Sequence, residues 1–254
     1  MSQKKILGID IGGSGIKGAI VDINKGTFIT ERIRIATPSP ATPKAVSKVV
    51  EQLVTEFDYQ GPIGCGFPAI IKNGHALSAA NIDKSWIGTD VKSLLSDVTK
   101  QDVFIANDAD LAGLAEMAYG VGADERYQKG TVLMITIGTG LGSALFHEGR
   151  LVPNTEFGHF QLNGMIAEHY ASNVVRKKKD LSWKSWGKRL DLYLSEINKL
   201  FSPDAIFLGG GGSKYFEKIE KYLIVNTEVI PARLGNSAGI IGAAVLADQR
   251  SKKV

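Results

Sequence analysis

Apolar positions along this chain fall into short blocks bounded by glycine and into longer stretches with helical spacing. Ile6 to Ile9 is a short apolar run ending in Asp10 and a glycine turn, and Lys17 to Asp22 resumes as a second strand. Thr27 to Ile35 alternates through Ile29, Glu31, Ile33 and Ile35, which predicts a third strand and an antiparallel meander. Thr42 and Pro43 suit a helix start, since threonine caps and proline fits the first helical position. Ala45, Val46, Val49, Val50, Leu53, Val54 and Phe57 follow at helical spacing. Ile63 to Phe67 and Val103 to Ala106 read as buried strands, and Ala109 to Tyr119 as a helix.

The pattern then recurs. Thr131 to Ile137 is an apolar, β-branched run, followed by Gly138-Thr139-Gly140 and a strand from Ser143 to Phe146. Ile9-Asp10-Ile11-Gly12-Gly13 and Ile135-Thr136-Ile137-Gly138-Thr139 share one strand, glycine turn, strand plan, which predicts two related α/β lobes. Trp186, Leu190, Tyr193, Leu194, Ile197, Leu200 and Phe201 mark a long amphipathic helix. Ala205 to Leu208 is a strand running into Gly209 to Gly212, and Ser213 to Tyr222 and Asn236 to Gln249 read as closing helices.

Composition, apolar runs and charge change this picture in four places. Glycine is abundant, 29 of 254 residues, and clusters in short runs, as tight turns and close ligand approach require. Cys65 is the single cysteine, so an internal disulfide and a multi-cysteine zinc site are both excluded. The polar N-terminus has no apolar core of a signal peptide behind it, and no apolar run approaches the roughly 20 residues that span a bilayer. A cytoplasmic protein with no membrane partner is expected. The net charge of +4 gathers partly in one stretch, where Arg176, Lys177, Lys178, Lys179, Lys184, Lys188 and Arg189 face only Asp180. That stretch suits a polyanion, and it equally suits a solvated helix face.

Five groups of residues carry candidate chemistry. Gly12, Gly13, Ser14, Gly15 and Lys17 form a glycine turn whose N–H groups, hydroxyl and ammonium can surround phosphate oxygens. Asp10, just before it, can hold Mg2+, directly or through water. A plain hairpin would explain the glycines but not the flanking Asp10 and Lys17. Gly138, Thr139 and Gly140 make a second candidate phosphate turn. Gly209, Gly210, Gly211 and Gly212 make a third, able to receive an anion or lie against a nucleobase. Asn107-Asp108-Ala109-Asp110 lies where a buried strand meets a helix. A carboxylate there can take a proton from an attacking hydroxyl, and Asn or Asp there also suits an N-cap. Glu156 and His159, three apart around Gly158, can present hydrogen-bonding groups to one polyol, and Glu168 can add an acceptor. A metal pair is the rival use of Glu156 and His159.

Together, in this order, the motifs resemble the ROK sugar kinases, and most closely their polyphosphate glucokinase branch. The resemblance rests on Asp10 to Lys17, Gly66-Phe67-Pro68-Ala69, Ala80 to Trp86, Asn107-Asp108-Ala109, Thr136 to Gly142, Asn154 to His159 and Leu208 to Lys214. It implies an α/β, actin-like ATPase (ribonuclease H-like) fold of two lobes with a central cleft. The smaller lobe is expected at 1–106 with 237–254, and the larger at 107–236. It implies Asp108 as general base toward the sugar 6-hydroxyl, and Asn107, Glu156, His159, Glu168, Gly66 and Asn81 as substrate-binding residues. Gly12 to Lys17 and Gly138 to Gly140 then bind phosphate, and Gly209 to Gly212 a nucleotide. The stretch holding Arg176, Lys177, Lys178, Lys184 and Lys188, with Asp180-Leu181-Ser182-Trp183 inside it, resembles a segment of the polyphosphate branch and points to that donor over ATP.

Two departures sharpen the expectation. Most ROK members carry a cysteine-rich zinc motif after the Glu-x-Gly-His segment, and this chain has no cysteine there. No zinc is therefore expected, and His159 becomes a sugar contact. The quadruple glycine is intact, which keeps ATP as a donor. The expected reaction is phosphoryl transfer from polyphosphate, or ATP, to glucose with Mg2+, in a homodimer. An ATP-dependent ROK hexokinase acting on glucose, fructose or an N-acetylhexosamine is the alternative. A sugar-responsive regulator is a remote third reading. ROK repressors carry an N-terminal DNA-binding helix-turn-helix, the first strand here begins at Lys5, and no reading helix for nucleic acid is found.

Overall fold

The computed structural model describes residues 4–80 and 82–252. The chain divides into two compact units, Met1–Tyr119 with Ser237–Val254, and Gly120–Asn236.

The first unit opens with a hairpin of β1 (Lys5–Gly12) and β2 (Gly15–Asp22), antiparallel in full register from Lys5 opposite Asp22 to Gly12 opposite Gly15. β3 (Thr27–Phe28) and β4 (Ile33–Ile35) both pair with β2. A continuous strand from Thr27 to Ile35 is therefore not formed. The Thr30 hydroxyl oxygen accepts the Ile20 N–H at 3.1 Å, so a side chain replaces the backbone carbonyl and interrupts the ladder. α1 (Pro43–Glu56) starts as its sequence predicts, with Thr42 accepting from the Ala45 N–H and proline at the first position.

β5 (Ile63–Phe67) lies parallel to β1, and β8 (Val103–Asn107) lies parallel to β5. Between them come a two-stranded ribbon, β6 (Ile71–Lys72) and β7 (His75–Ala76), and α2 (Val91–Thr99). α3 (Asp108–Tyr119) follows β8, and α9 (Ala238–Ser251) closes the unit by packing on α3, β1 and β5. That packing carries the first unit through Tyr119, past the expected end at residue 106. α3 is covered on nearly all sides, and its buried residues run unbroken from Ala109 to Met117. A helix buried all round belongs with the elements that bury it.

The second unit repeats the plan. β9 (Thr131–Ile137) and β10 (Leu141–His147) form a hairpin extended by β11 (Arg150–Val152). The ribbon of β12 (Gln161–Leu162) and β13 (Met165–Ile166) leads into α4 (Ala167–Ala171), α5 (Asn173–Lys178) and α6 (Trp183–Phe201). β14 (Ala205–Gly209) then lies parallel to β9, and β15 (Glu228–Pro231) parallel to β14. The strand orders β3-β2-β1-β5-β8 and β11-β10-β9-β14-β15 are the same plan: a hairpin, then two parallel strands beside its first strand.

The helix expected over Ser213 to Tyr222 is instead broken into α7 (Gly210–Ser213), α8 (Phe216–Ile219) and a short 3-10 turn over Glu220–Tyr222. Tyr215, at φ −101°, ψ 14°, leaves helical geometry between the first two pieces. Each unit has its own core. Leu7, Ile9, Leu53, Phe67 and Trp86 are fully buried in the first, and Ile135, Trp186, Tyr193 and Leu208 in the second.

Candidate active site

In the first unit, the parallel register lines up candidate residues at one end of three strands. Asp10 of β1 is opposite Gly66 of β5, and Gly66 is opposite Ala106 of β8. The row therefore runs from Asp10 through Gly66 to the head of α3, at the carboxyl ends of the strands, where open α/β sheets bind ligands.

Asp10 Oδ2 pairs with Lys17 Nζ at 3.2 Å across the hairpin. Two glycines leave room around this carboxylate. A Cβ on Gly239 would stand 3.2 Å from Asp10 Cγ, and one on Gly66 would stand 3.6 Å from Asp10 Oδ1. Mg2+ carried by a phosphate chain needs one or two protein carboxylates and keeps several waters, and a half-buried Asp10 with small neighbours fits that need. Among the described residues no group of three His, Cys, Asp or Glu side chains is placed to hold a metal by itself.

Ser14 lies exposed on the turn, and its carbonyl accepts from the Arg34 guanidinium at 2.7 Å. Sequence reasoning missed Arg34. The signal lay in the Ile33-Arg34-Ile35 alternation, because Arg34 pairs in register with Lys17 and adds a second cation beside the first glycine turn.

At the head of α3, Asn107 is buried and works as the cap. Its Oδ1 accepts from the Ala109 and Asp110 N–H groups at 2.8 and 3.3 Å, and its Nδ2 donates to the Ala69 carbonyl at 3.1 Å. That last bond accounts for Gly66-Phe67-Pro68-Ala69, whose turn holds Asn107 in place. Asp108, the next residue, is exposed, and its Oδ1 accepts from the Ala109 N–H at 2.8 Å. Capping and solvent-facing carboxylate thus belong to different residues. Asn81 lies outside the described residues.

In the second unit, the Gly138-to-Gly140 turn closes with the Gly138 N–H donating to the Gly140 carbonyl at 3.0 Å. Glu168, in the first turn of α4, rests on it: a Cβ on Gly140 would stand 2.2 Å from Glu168 Oε2. Glycine at 140 therefore makes room for a carboxylate. Glu156 and His159 sit at the start and end of one 3-10 turn, with Glu156 Oε2 and His159 Nδ1 3.3 Å apart. Buried Ser143 holds this turn. Its hydroxyl donates to the Thr155 carbonyl at 2.6 Å and accepts from the Phe157 N–H at 3.0 Å. Ser143 also escaped sequence reasoning, since a lone strand serine gives no sign of what it clamps.

Burial pushes the Glu156 carboxyl above its ordinary range. The nearby His159 pulls it back, and the Glu168 carboxylate pushes it further up. The third glycine run follows β14, with Gly209 opposite Thr136 of β9. Gly211 is open, because a Cβ there would meet no atom within 4 Å.

Known proteins resemble this chain in sequence and in fold. The model of the ROK family matches residues 6–173. The chain is 44% identical over 245 residues to a polyphosphate glucokinase of Mycobacterium tuberculosis, covering 96% of this chain and 91% of that protein. This chain belongs to the ROK family. The crystal structure of an inorganic polyphosphate/ATP-glucomannokinase from Arthrobacter sp. superposes on this ROK protein with a TM-score of 0.91 at 46% identity, covering 97% of this chain and 99% of that one. A ROK family glucokinase from Streptomyces griseus shares the fold, with a TM-score of 0.81 at 24% identity, covering 97% of this chain and all of the other. The α/β, actin-like fold and the kinship with polyphosphate glucokinases are thus both established.

The basic stretch of this ROK protein is divided by the structure. Arg176 is half-buried, its guanidinium carbon 4.3 Å from the centre of the Trp183 ring. Lys177, Lys178, Lys184 and Lys188 are exposed. Arg189 turns elsewhere, donating to the Tyr170 carbonyl at 3.0 Å. Among the described residues, no helix is long and apolar enough to cross a membrane.

Proposed function

We propose that this chain is a polyphosphate glucokinase, transferring the terminal phosphoryl group of inorganic polyphosphate to the 6-hydroxyl of glucose, with ATP as a second donor. The observation that carries this reading is the 44% identity to a polyphosphate glucokinase over 96% of the chain. The name of the Arthrobacter relative, a polyphosphate/ATP-glucomannokinase, supports both donors, and the open glycine face at Gly211 supports ATP.

Phosphoryl transfer asks a protein mainly for alignment, charge neutralisation and one base. Asp108 is the base. Its carboxylate takes the proton of the 6-hydroxyl while that oxygen bonds to phosphorus and the bond from phosphorus to the leaving oxygen breaks. The products are glucose 6-phosphate and a chain shorter by one phosphate, or ADP. Asn107 caps the helix through backbone N–H groups, which fixes the Asp108 backbone against the sheet. Glu156, His159 and Glu168 bind sugar hydroxyls, which suits acceptor groups lined up by Ser143 and the Gly140 gap. Lys17, Arg34 and the N–H groups of the two glycine turns bind donor oxygens. Asp10 would hold Mg2+, which when bound neutralises charge on the donor. The protein acts in the cytoplasm as a homodimer.

The test is glucose phosphorylation by purified protein, with long-chain polyphosphate and ATP supplied separately, followed by coupling to glucose 6-phosphate oxidation. Turnover with polyphosphate is expected. Turnover with ATP alone would make this an ATP-dependent hexokinase instead.

A further inference from the structure

Three segments of the second unit converge on one pair of aromatic rings. Trp183, at the start of α6, and Tyr215, between α7 and α8, have ring centres 4.8 Å apart. Three cations share them. The Arg176 guanidinium carbon is 4.3 Å from the Trp183 centre and 5.5 Å from that of Tyr215. Lys218 Nζ is 4.9 and 5.8 Å from the same two centres. Lys214 Nζ is 5.0 Å from the Tyr215 centre. None of the three pairs with a carboxylate among the described residues.

A ring face attracts a cation but does not cancel its charge. One cation on one ring is a common packing contact, whereas three on two rings leave a surplus of positive charge. Lys177 and Lys178 on α5 and Lys184 on α6 extend that surplus, all exposed. Such a row gains most from an anion that carries charge along its length, as a polyelectrolyte does. A nucleobase has less to gain, because the Trp183 ring already carries two cations within 5 Å of its centre.

We propose that Lys214 and Lys218, with Arg176 seated on Trp183, form a binding track for the inorganic polyphosphate chain. The two lysines lie outside the basic stretch visible in the sequence, and the aromatic pair is what joins them to it. This inference rests on polyphosphate being the donor, and its test separates the two ideas.

Fluorescence anisotropy of labelled long-chain polyphosphate measures affinity for the wild type, for Lys214→Ala/Lys218→Ala, and for the first-unit control Lys44→Ala/Lys48→Ala, which removes equal charge. Calorimetry measures ATP affinity, and a glucose titration with a thermal melt checks that each variant is folded. Lys214→Gln/Lys218→Gln provides a second pair should the alanine variant fail to fold. The Lys214/Lys218 variant is expected to bind polyphosphate about tenfold or more weakly, with ATP affinity within about twofold and the control unchanged. The slope of log affinity against log salt should also shrink by roughly 1.4, two charges at about 0.7 each. Unchanged polyphosphate affinity, equal loss of both donors, or equal loss in the control would each overturn the track. If the chain binds through these lysines but drives no glucose phosphorylation, the track stands and the proposed donor falls.

Discussion

At the residue scale, the informative pair is Asn107 and Asp108. From sequence either could cap the helix, whereas only the Asp108 carboxylate could act as a base, and chain order alone does not show which residue caps. The structure does so through hydrogen bonds: Asn107 is buried and caps, and Asp108 is exposed. Asp108→Asn keeps size and hydrogen-bonding capacity but cannot take a proton. Its kcat should fall about 10²- to 10⁴-fold, with glucose affinity by calorimetry changing little. Near-normal turnover would remove Asp108 from its assigned role. Glu156 gives a pH dependence. Burial raises its native value above the ordinary 4.5, so protonation sets in at a higher pH than for a free glutamate. Glucose affinity should weaken as pH falls through that raised value, and Glu156→Gln should flatten the profile. The stability effect has the opposite sense. Because the native state holds this proton more tightly than the unfolded chain, the contribution is present below the unfolded value and is lost as pH rises through the native one. Arg34, marked only by its strand alternation, and Ser143, with no mark at all, were both missed in the sequence. One acts through strand register and the other through a clamp on a turn, and both depend on residues distant along the chain.

At the scale of elements, hydrophobic spacing located most strands and helices, because a buried face imposes its own period. It failed where local geometry overrode the period. Thr30 broke the third strand by supplying a hydroxyl in place of a carbonyl, and the non-helical backbone at Tyr215 broke the expected helix after β14. The spacing also gave no sign of how closely α9 approaches its neighbours. A Cβ on Gly242 would stand 1.7 Å from the Leu111 carbonyl oxygen, and one on Gly64 would stand 1.7 Å from the Ala243 carbonyl oxygen. Backbone meets backbone at both places, so a side chain cannot swing aside. Gly242→Ala should destabilise the first unit by about 3 kcal/mol or more, at the upper end for overpacking. A lowered denaturant midpoint by circular dichroism checks this, and an unchanged midpoint would show that α9 can shift at little cost.

At the scale of the whole molecule, two observations matter: a repeated strand plan and a positive charge that gathers in one region. The net charge of +4 and the row from Arg176 to Lys188 predict a strong salt effect on polyphosphate use. KM for long polyphosphate should rise steeply between about 50 and 200 mM salt, as counterion release does for nucleic acids, while KM for ATP rises less. Equal salt effects on the two donors would mean that chain length contributes nothing to binding. The sequence alone determined the family, the α/β class, the glycine turns and the candidate carboxylates, because each is a local pattern of residue types at set spacings. The tertiary structure decided which helix belongs to which unit, which of Asn107 and Asp108 caps, and which lysines join Arg176. Those depend on what meets across the fold, and residues such as Trp183 and Tyr215 become neighbours only when separate segments pack together.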